Sequence, residues 1–158
     1  MQDINSVPLI TRREIEARIA VPLIRAFMQK FGRKPALEVA GEVIRALSIE
    51  AGEMLRSIAE GDGLEDFQKA LAVAGQGGAL KYEIVEAAPD KIAVNFTRCK
   101  FAEMYRSLGM EEFGYILSCG RDASIAEGFN PNIRFSRTQT IMEGADHCDF
   151  RYEIKDET

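Results

Sequence analysis

Residues 80–97 read LKYEIVEAAPDKIAVNFT, and this stretch decides the fold class of the chain. On each side of Ala88-Pro89-Asp90, large apolar side chains alternate with small, polar or charged ones. That two-residue period is typical of a β-strand that buries one face. Proline and aspartate between two such runs indicate a turn. The stretch therefore predicts a β-hairpin.

The hydrophobic period before this hairpin is that of helices. Apolar residues recur every three or four positions from about 11 to 31 and from about 35 to 60, and residues 64–74 show a shorter helical pattern. Pro22 lies inside the first pattern, so we expect a kink or break there. These three segments predict a helical layer ahead of the sheet.

The chain after the hairpin predicts two short helices and then a second hairpin. The helices are expected at residues 101–108 and 110–120, and the strands at residues 133–141 and 148–154. We therefore expect an α+β fold, with an N-terminal helical layer packed on a mostly antiparallel sheet of about four strands. The sheet would consist of two hairpins with helices between them.

Length and charge limit the organisation and the partners of the protein. The 158 residues fit a single domain, 1–158, with a helical half at 10–75 and a hairpin–helices–hairpin half at 79–154. The net charge of −5 and the lack of a basic stripe argue against nucleic acid as a partner. No apolar run could span a membrane, and the N-terminus has no signal core. We expect a cytoplasmic protein with a small-molecule partner, and a homodimer stays open.

Cys99 is the strongest candidate nucleophile in the sequence. It lies where the first hairpin ends and a helix begins, between Arg98 and Lys100. A helix N-terminus and nearby cations both lower the pKa of a thiol and favour the reactive thiolate. The alternative is a cysteine that only packs. The first ninety residues contain no comparable candidate and look like scaffold.

Arg137 and Cys148 are predicted to point from the sheet toward the core. Strand alternation places Arg137 on the same face as Ile133 and Phe135, and Cys148 on the same face as Phe150. A buried guanidinium requires a partner. It could form an internal ion pair with an aspartate, or it could bind the carboxylate of an anionic substrate. Cys148 could be a second candidate nucleophile or a packing residue.

A metal site is a further alternative. Cys119 and Asp122 are three residues apart, and together with Cys99 and Cys148 they could bind zinc. Their spacings are wide, and the chain has no pair of cysteines separated by two residues. We therefore expect no cofactor, and keep zinc as the alternative.

Several separated motifs resemble one family. The segments that carry the resemblance are Cys99, YRSLG at 105–109, CGRD at 119–122, FNP at 129–131, RTQT at 137–140, Gly144 and CDF at 148–150. In this order they resemble the L-2-amino-thiazoline-4-carboxylic acid hydrolase family over residues 10–154. The order of helices and hairpins is also similar to that of the 4-vinyl reductase and transport-particle subunit fold, which binds small molecules.

The resemblance implies a hydrolase that opens the ring of L-2-amino-thiazoline-4-carboxylate to N-carbamoyl-L-cysteine, in cysteine biosynthesis. The reaction would use a cysteine nucleophile or an activated water. The alternative is a non-catalytic domain of the same fold that binds a small molecule or a metal. The implied catalytic residues are Cys99, Cys148, Asp122 and Asp149, and the implied substrate-binding residues are Arg137, Thr138, Tyr105 and Asn130.

Overall fold

The computed structural model describes residues 6–72 and 77–154. Within these ranges, helices pack on an antiparallel sheet whose strand order is β1-β2-β4-β3. This architecture confirms the predicted α+β class. The elements in chain order are α1 (Leu9–Phe31), α2 (Arg33–Ile58), α3 (Leu64–Leu71), β1 (Leu80–Ala88), β2 (Lys91–Cys99), α4 (Lys100–Ser107), α5 (Glu111–Leu117), α6 (Asp122–Phe129), β3 (Ile133–Ser136) and β4 (Cys148–Ile154).

The predicted hairpin of residues 80–97 forms, with Pro89 and Asp90 between its strands. β2 then pairs with β4, so that Phe96 lies opposite Cys148 and Val94 opposite Phe150. β1 is an edge strand, and most of its residues are exposed. The inner face of the sheet therefore consists mainly of residues from β2, β3 and β4.

The α1 helix continues through Pro22, so the predicted break is wrong. It ends at Gly32, whose φ of 94° lies in the region that favours glycine, and α2 begins at the next residue. None of the helices in the described part of the chain is long and apolar enough to cross a membrane.

The backbones of α2 and α6 approach each other closely, and this contact depends on two glycines. A Cβ atom on Gly52 would overlap the carbonyl oxygen of Ile125, and one on Gly128 would overlap the carbonyl oxygen of Ile49. The missing side chains let the two backbones touch. This contact determines where the first turn of α6, with Asp122, lies relative to the sheet.

The core has two parts. One joins α1 and α2 to α4 and α5, and it includes Val21, Tyr105 and Phe113. The other joins α3 and α6 to the inner face of the sheet, and it includes Phe67 and Tyr152. The candidate functional residues lie where the two parts meet.

The structure differs from the prediction at one strand and at one helix. The strand expected at 133–141 ends at Ser136, because the backbone N–H groups of Thr138 and Gln139 donate to the Asp149 carboxylate rather than to a strand. The other difference is α6, which was not predicted and whose eight residues follow a short 3-10 helix at Cys119–Arg121.

Candidate functional site

A pocket of about 600 Å³ lies between α3, the inner face of the sheet and the start of α6. Its walls are mostly apolar, and its polar groups are Asp122 at α6, three side chains of α3 and the hydroxyl groups of Tyr82 and Tyr152. Pockets of this size accommodate small organic molecules. The lining residues are Glu65, Phe67, Gln68, Lys69, Leu71, Ala72, Leu80, Tyr82, Ile92, Val94, Phe96, Asp122, Ile125, Phe150 and Tyr152.

Asp122 is the ionisable group on the α6 side of the pocket. Its side chain keeps 27% of its surface accessible, and because Asp122 lines the pocket we place that surface inside the cavity. Burial raises the pKa of Asp122 to about 6, although the neighbouring guanidinium of Arg137 favours the ionised form. A carboxyl group with such a pKa can both accept and return a proton near neutral pH.

Arg137 lies behind Asp122. Its side chain is 6% exposed, and its Nη1 donates to Asp122 Oδ2 at 2.6 Å. Nη2 donates to the carbonyl oxygen of Cys119 at 3.2 Å. The guanidinium also lies over the rings of Phe135 and Phe150, 5.4 and 5.1 Å from their centroids. The predicted inward orientation is confirmed, and of the two alternatives the structure contains the internal ion pair with Asp122.

Asp149 holds the segment that follows Arg137. Its carboxylate accepts hydrogen bonds from the backbone N–H of Thr138 at 3.0 Å, from Thr138 Oγ1 at 2.7 Å and from the N–H of Gln139 at 2.9 Å. Burial opposes the ionised form, but these hydrogen bonds outweigh it and lower the pKa of Asp149. Asp149 and Thr138 are absent from the described lining of the pocket, and their hydrogen bonds hold the backbone that follows Arg137.

The three cysteines are free thiols that come together in space. The charge of Cys148 raises the pKa of Cys99, the charges of Cys99 and Cys148 both raise that of Cys119, and the charge of Asp122 raises the pKa of all three. None of the three lines the pocket in the described part of the chain. They form a group of protonated thiols next to the Asp122–Arg137 pair.

The predicted low pKa of Cys99 is wrong. Burial raises the pKa of its thiol, and the helix N–H groups of Phe101 and Ala102 offset only part of that rise. Neither flanking cation contributes to the pKa shift of Cys99, and Arg98 is paired with Glu103 at 2.7 Å. The Cys99 thiol therefore stays protonated near neutral pH and is a poor nucleophile.

The other two thiols are also poor nucleophiles. Burial, assisted by the charge of Asp122, strongly raises the pKa of Cys119. Burial also raises the pKa of Cys148, whose Sγ accepts a hydrogen bond from the N–H of Ile141 at 3.2 Å. In residues 6–72 and 77–154, no group of three or more His, Cys, Asp or Glu side chains could hold a metal ion. The four-residue zinc alternative therefore lacks a preformed geometry.

Tyr105 and Asn130 lie away from the pocket lining. Tyr105 is 1% exposed in the core beneath α1, where burial raises its pKa to about 12. The Asn130 side chain donates to the carbonyl oxygen of Asp62 at 2.9 Å and accepts from the N–H of Asn132 at 2.8 Å. Asn130 thus ties the end of α6 to the loop before α3.

The part of α3 in the wall of the pocket was not predicted from the sequence. Phe67, Gln68 and Lys69 line the pocket, although this helix belongs to the half that looked like scaffold. Lys69 lies beside Glu65, with Nζ 2.8 Å from Oε1. The helical pattern at residues 64–74 was a signal for the helix, but it did not indicate that the helix covers the sheet.

The fold occurs in two solved structures of low sequence identity. One is the phenol-responsive sensory domain of the transcription activator PoxR with phenol, with a TM-score of 0.56 and 9% identity, covering 90% of this chain and 75% of that chain. The other is the trafficking protein particle complex subunit 3 from Naegleria fowleri covalently bound to palmitic acid, with a TM-score of 0.55 and 9% identity, covering 92% and 96%. The protein thus belongs to the class of α+β domains that these two structures share.

Within that class the chain belongs to the L-2-amino-thiazoline-4-carboxylic acid hydrolase family, because the sequence model of this family matches residues 12–152. This match confirms the resemblance carried by the motifs between Cys99 and Phe150. No curated protein sequence matches the chain significantly.

Proposed function

We propose that the protein is a hydrolase that opens the ring of L-2-amino-thiazoline-4-carboxylate, or of a closely related cyclic amidine, to an N-carbamoyl-cysteine-type product. The observation that carries the proposal is Asp122, a carboxyl group with a pKa of about 6 in the wall of a mostly apolar pocket. Family membership supports this substrate class.

The pocket matches the charges of such a substrate. The amidine carries a positive charge when protonated, and Asp122 can pair with it. Lys69, on α3, can attract the substrate carboxylate, which then shares the ammonium group with Glu65, 2.8 Å away in the same wall. The ring would lie against Phe67 and Phe150, whose side chains give the pocket its apolar walls. Arg137 is already bonded to Asp122, so its role is to orient that carboxylate.

We infer that water, rather than a thiol, attacks the ring. The thiols of Cys99, Cys119 and Cys148 all have raised pKa values, whereas the pKa of Asp122 leaves most of its carboxylate ionised at pH 7. Asp122 takes a proton from water while the water oxygen bonds to the ring carbon between sulfur and nitrogen. The carbon–sulfur bond then breaks, and the proton returns to the leaving sulfur, which gives a thiol and a ureido group.

The test is product formation by purified protein, followed by the new thiol and by mass spectrometry. Asp122→Asn should reduce kcat by about 100-fold or more, since removal of a general base typically costs that much. Asp146→Asn is the matched control, because Asp146 is exposed and its bonds within the described residues are to Gln139 and His147 in the loop before β4. Cys99→Ser should keep turnover, and a loss of all activity in that variant would contradict the water mechanism.

The second candidate is a domain that binds a small molecule without turnover. The mostly apolar pocket favours it, as does the fold shared with a sensory domain that holds phenol. Calorimetric titration with the thiazoline separates the two functions. Binding without product in the wild-type protein would favour the sensor-like function, whereas binding with product would favour the hydrolase.

A further inference from the structure

A second polar group of the pocket lies on the inner face of the sheet. It is the hydroxyl of Tyr152, a residue of β4 that lies opposite Ile92 of β2 and Phe135 of β3. Tyr152 keeps 6% of its surface accessible, and because it lines the pocket we place that surface inside the cavity. The reaction steps described above, which depend on Asp122, do not use this hydroxyl.

The Tyr152 hydroxyl has no hydrogen-bond partner within residues 6–72 and 77–154. It is also not one of the unsatisfied polar atoms that are fully enclosed in this part of the chain, so its oxygen keeps access to the cavity. A tyrosine hydroxyl in a protein interior normally has a partner, because an unsatisfied one costs free energy. The open hydroxyl therefore keeps its donor for a molecule that enters the pocket.

Aromatic contacts hold the Tyr152 ring in place. Its centroid lies 5.3 Å from that of Phe67, 5.0 Å from that of Phe135 and 6.2 Å from that of Phe150. The guanidinium of Arg137 lies over two of the same rings, those of Phe135 and Phe150. Tyr152 and the ion pair of Arg137 therefore adjoin the same two phenylalanine rings, and the hydroxyl has a fixed position relative to that pair.

Tyr152 stays protonated across the neutral pH range. Burial raises the pKa of its hydroxyl well above the usual value, and the charge of Asp122 raises it further, while the charge of Arg137 opposes the rise. The two polar groups are thus complementary. The carboxylate of Asp122 accepts a proton or a hydrogen bond, and the hydroxyl of Tyr152 donates one.

We propose that Tyr152 is a catalytic hydrogen-bond donor to the ring sulfur while the carbon–sulfur bond breaks. This inference rests on the proposed hydrolase function. Once water has added to the ring carbon, the electron pair of the carbon–sulfur bond moves to sulfur, and the O–H of Tyr152 donates to the sulfur as it gains this charge. Asp122 then returns its proton to the same sulfur, so Tyr152 keeps its own. A fixed donor to a developing charge speeds the step more than it strengthens substrate binding.

The first test is Tyr152→Phe, which removes one oxygen and keeps the aromatic contacts. The kcat for the thiazoline should fall at least about 10-fold with little change in KM, because the lost donor acts in the transition state. The melting temperature should not fall, since the hydroxyl has no partner among the described residues. The matched control is Tyr105→Phe, at a tyrosine that is 1% exposed and lies outside the described pocket lining, and it should keep the wild-type kcat.

The second test changes the leaving atom. In the 2-amino-selenazoline analogue, selenium replaces the ring sulfur, and a selenolate leaves more easily than a thiolate because its conjugate acid is stronger. The selenium ring therefore needs less help from a hydrogen-bond donor. The loss of kcat in Tyr152→Phe should be smaller with the selenium ring than with the sulfur ring.

The outcomes separate this inference from the hydrolase function. An active wild-type protein with an unchanged kcat in Tyr152→Phe would overturn the role of Tyr152 and leave the hydrolase function standing. An equal loss with both rings, or the same loss in Tyr105→Phe, would overturn it as well. A wild-type protein that forms no product would instead refute the hydrolase function, and the role of Tyr152 in bond breaking with it.

Discussion

The titration of Asp122 links the stability of the protein to its chemistry. Burial raises the pKa of this carboxyl from its ordinary value of 3.8 to about 6. The difference is about two pH units, and each unit corresponds to about 1.4 kcal/mol, so the shift is worth about 3 kcal/mol. Between the two values the folded state holds a proton that the unfolded state releases.

The sign of the pH dependence follows from this difference. The contribution of Asp122 to the free energy of unfolding is fully present below pH 3.8 and is lost as pH rises through about 6, in total about 3 kcal/mol. Activity should change in the opposite direction, because only the carboxylate form can take the proton of water. The rate should therefore rise through pH 6 while this part of the stability falls.

Urea unfolding from pH 3.5 to 7.5 measures the effect. Asp122→Asn cannot titrate, so its free energy of unfolding should lack the loss of about 3 kcal/mol that the wild-type protein shows between pH 4 and 6. The offset between the two proteins at any one pH also contains the effect of the amide on the hydrogen bond with Arg137. The comparison therefore uses the slope of the free energy of unfolding against pH. Equal slopes for both proteins would refute the raised pKa.

Three further outcomes follow from particular contacts. Gly52→Ala should lower the free energy of unfolding by about 1–3 kcal/mol or more and reduce kcat, because the new methyl group forces α6 and its Asp122 away from α2. Gly41→Ala is the control: a Cβ there meets nothing within 4 Å, so the same unfolding measurement should show a neutral or slightly stabilising effect. Cys99 should react slowly with iodoacetamide at pH 7, with a rate that still increases above pH 9, and fast labelling at neutral pH would contradict its raised pKa. Lys69→Met should raise KM for the thiazoline by about two- to fivefold with little change in kcat, because an exposed ion pair is worth at most about 1 kcal/mol. Lys81→Met, which lies outside the pocket lining, should leave both constants unchanged.

The sequence by itself determined the features that depend on near neighbours. The alternation around Pro89 predicts the first hairpin, because strand and helix periods are read over a few residues. The inward orientation of Arg137 follows in the same way from its spacing to Phe135. The order of the motifs from Cys99 onward was sufficient for the family, which the match over residues 12–152 confirms.

Other features depend on partners that are distant in the chain, and only the tertiary structure decided them. The flanking cations predicted a reactive Cys99. In the structure Arg98 pairs with Glu103 on the next helix, and burial raises the pKa of the Cys99 thiol. The strand after Ile133 stops early because Asp149, on another strand, accepts its N–H groups. The pocket exists because α3 covers the sheet and the glycine contact places Asp122 opposite it. Burial and ion pairing depend on which residues pack against a side chain in the folded protein. Those residues can be far away in the sequence, so a local sequence pattern does not predict them.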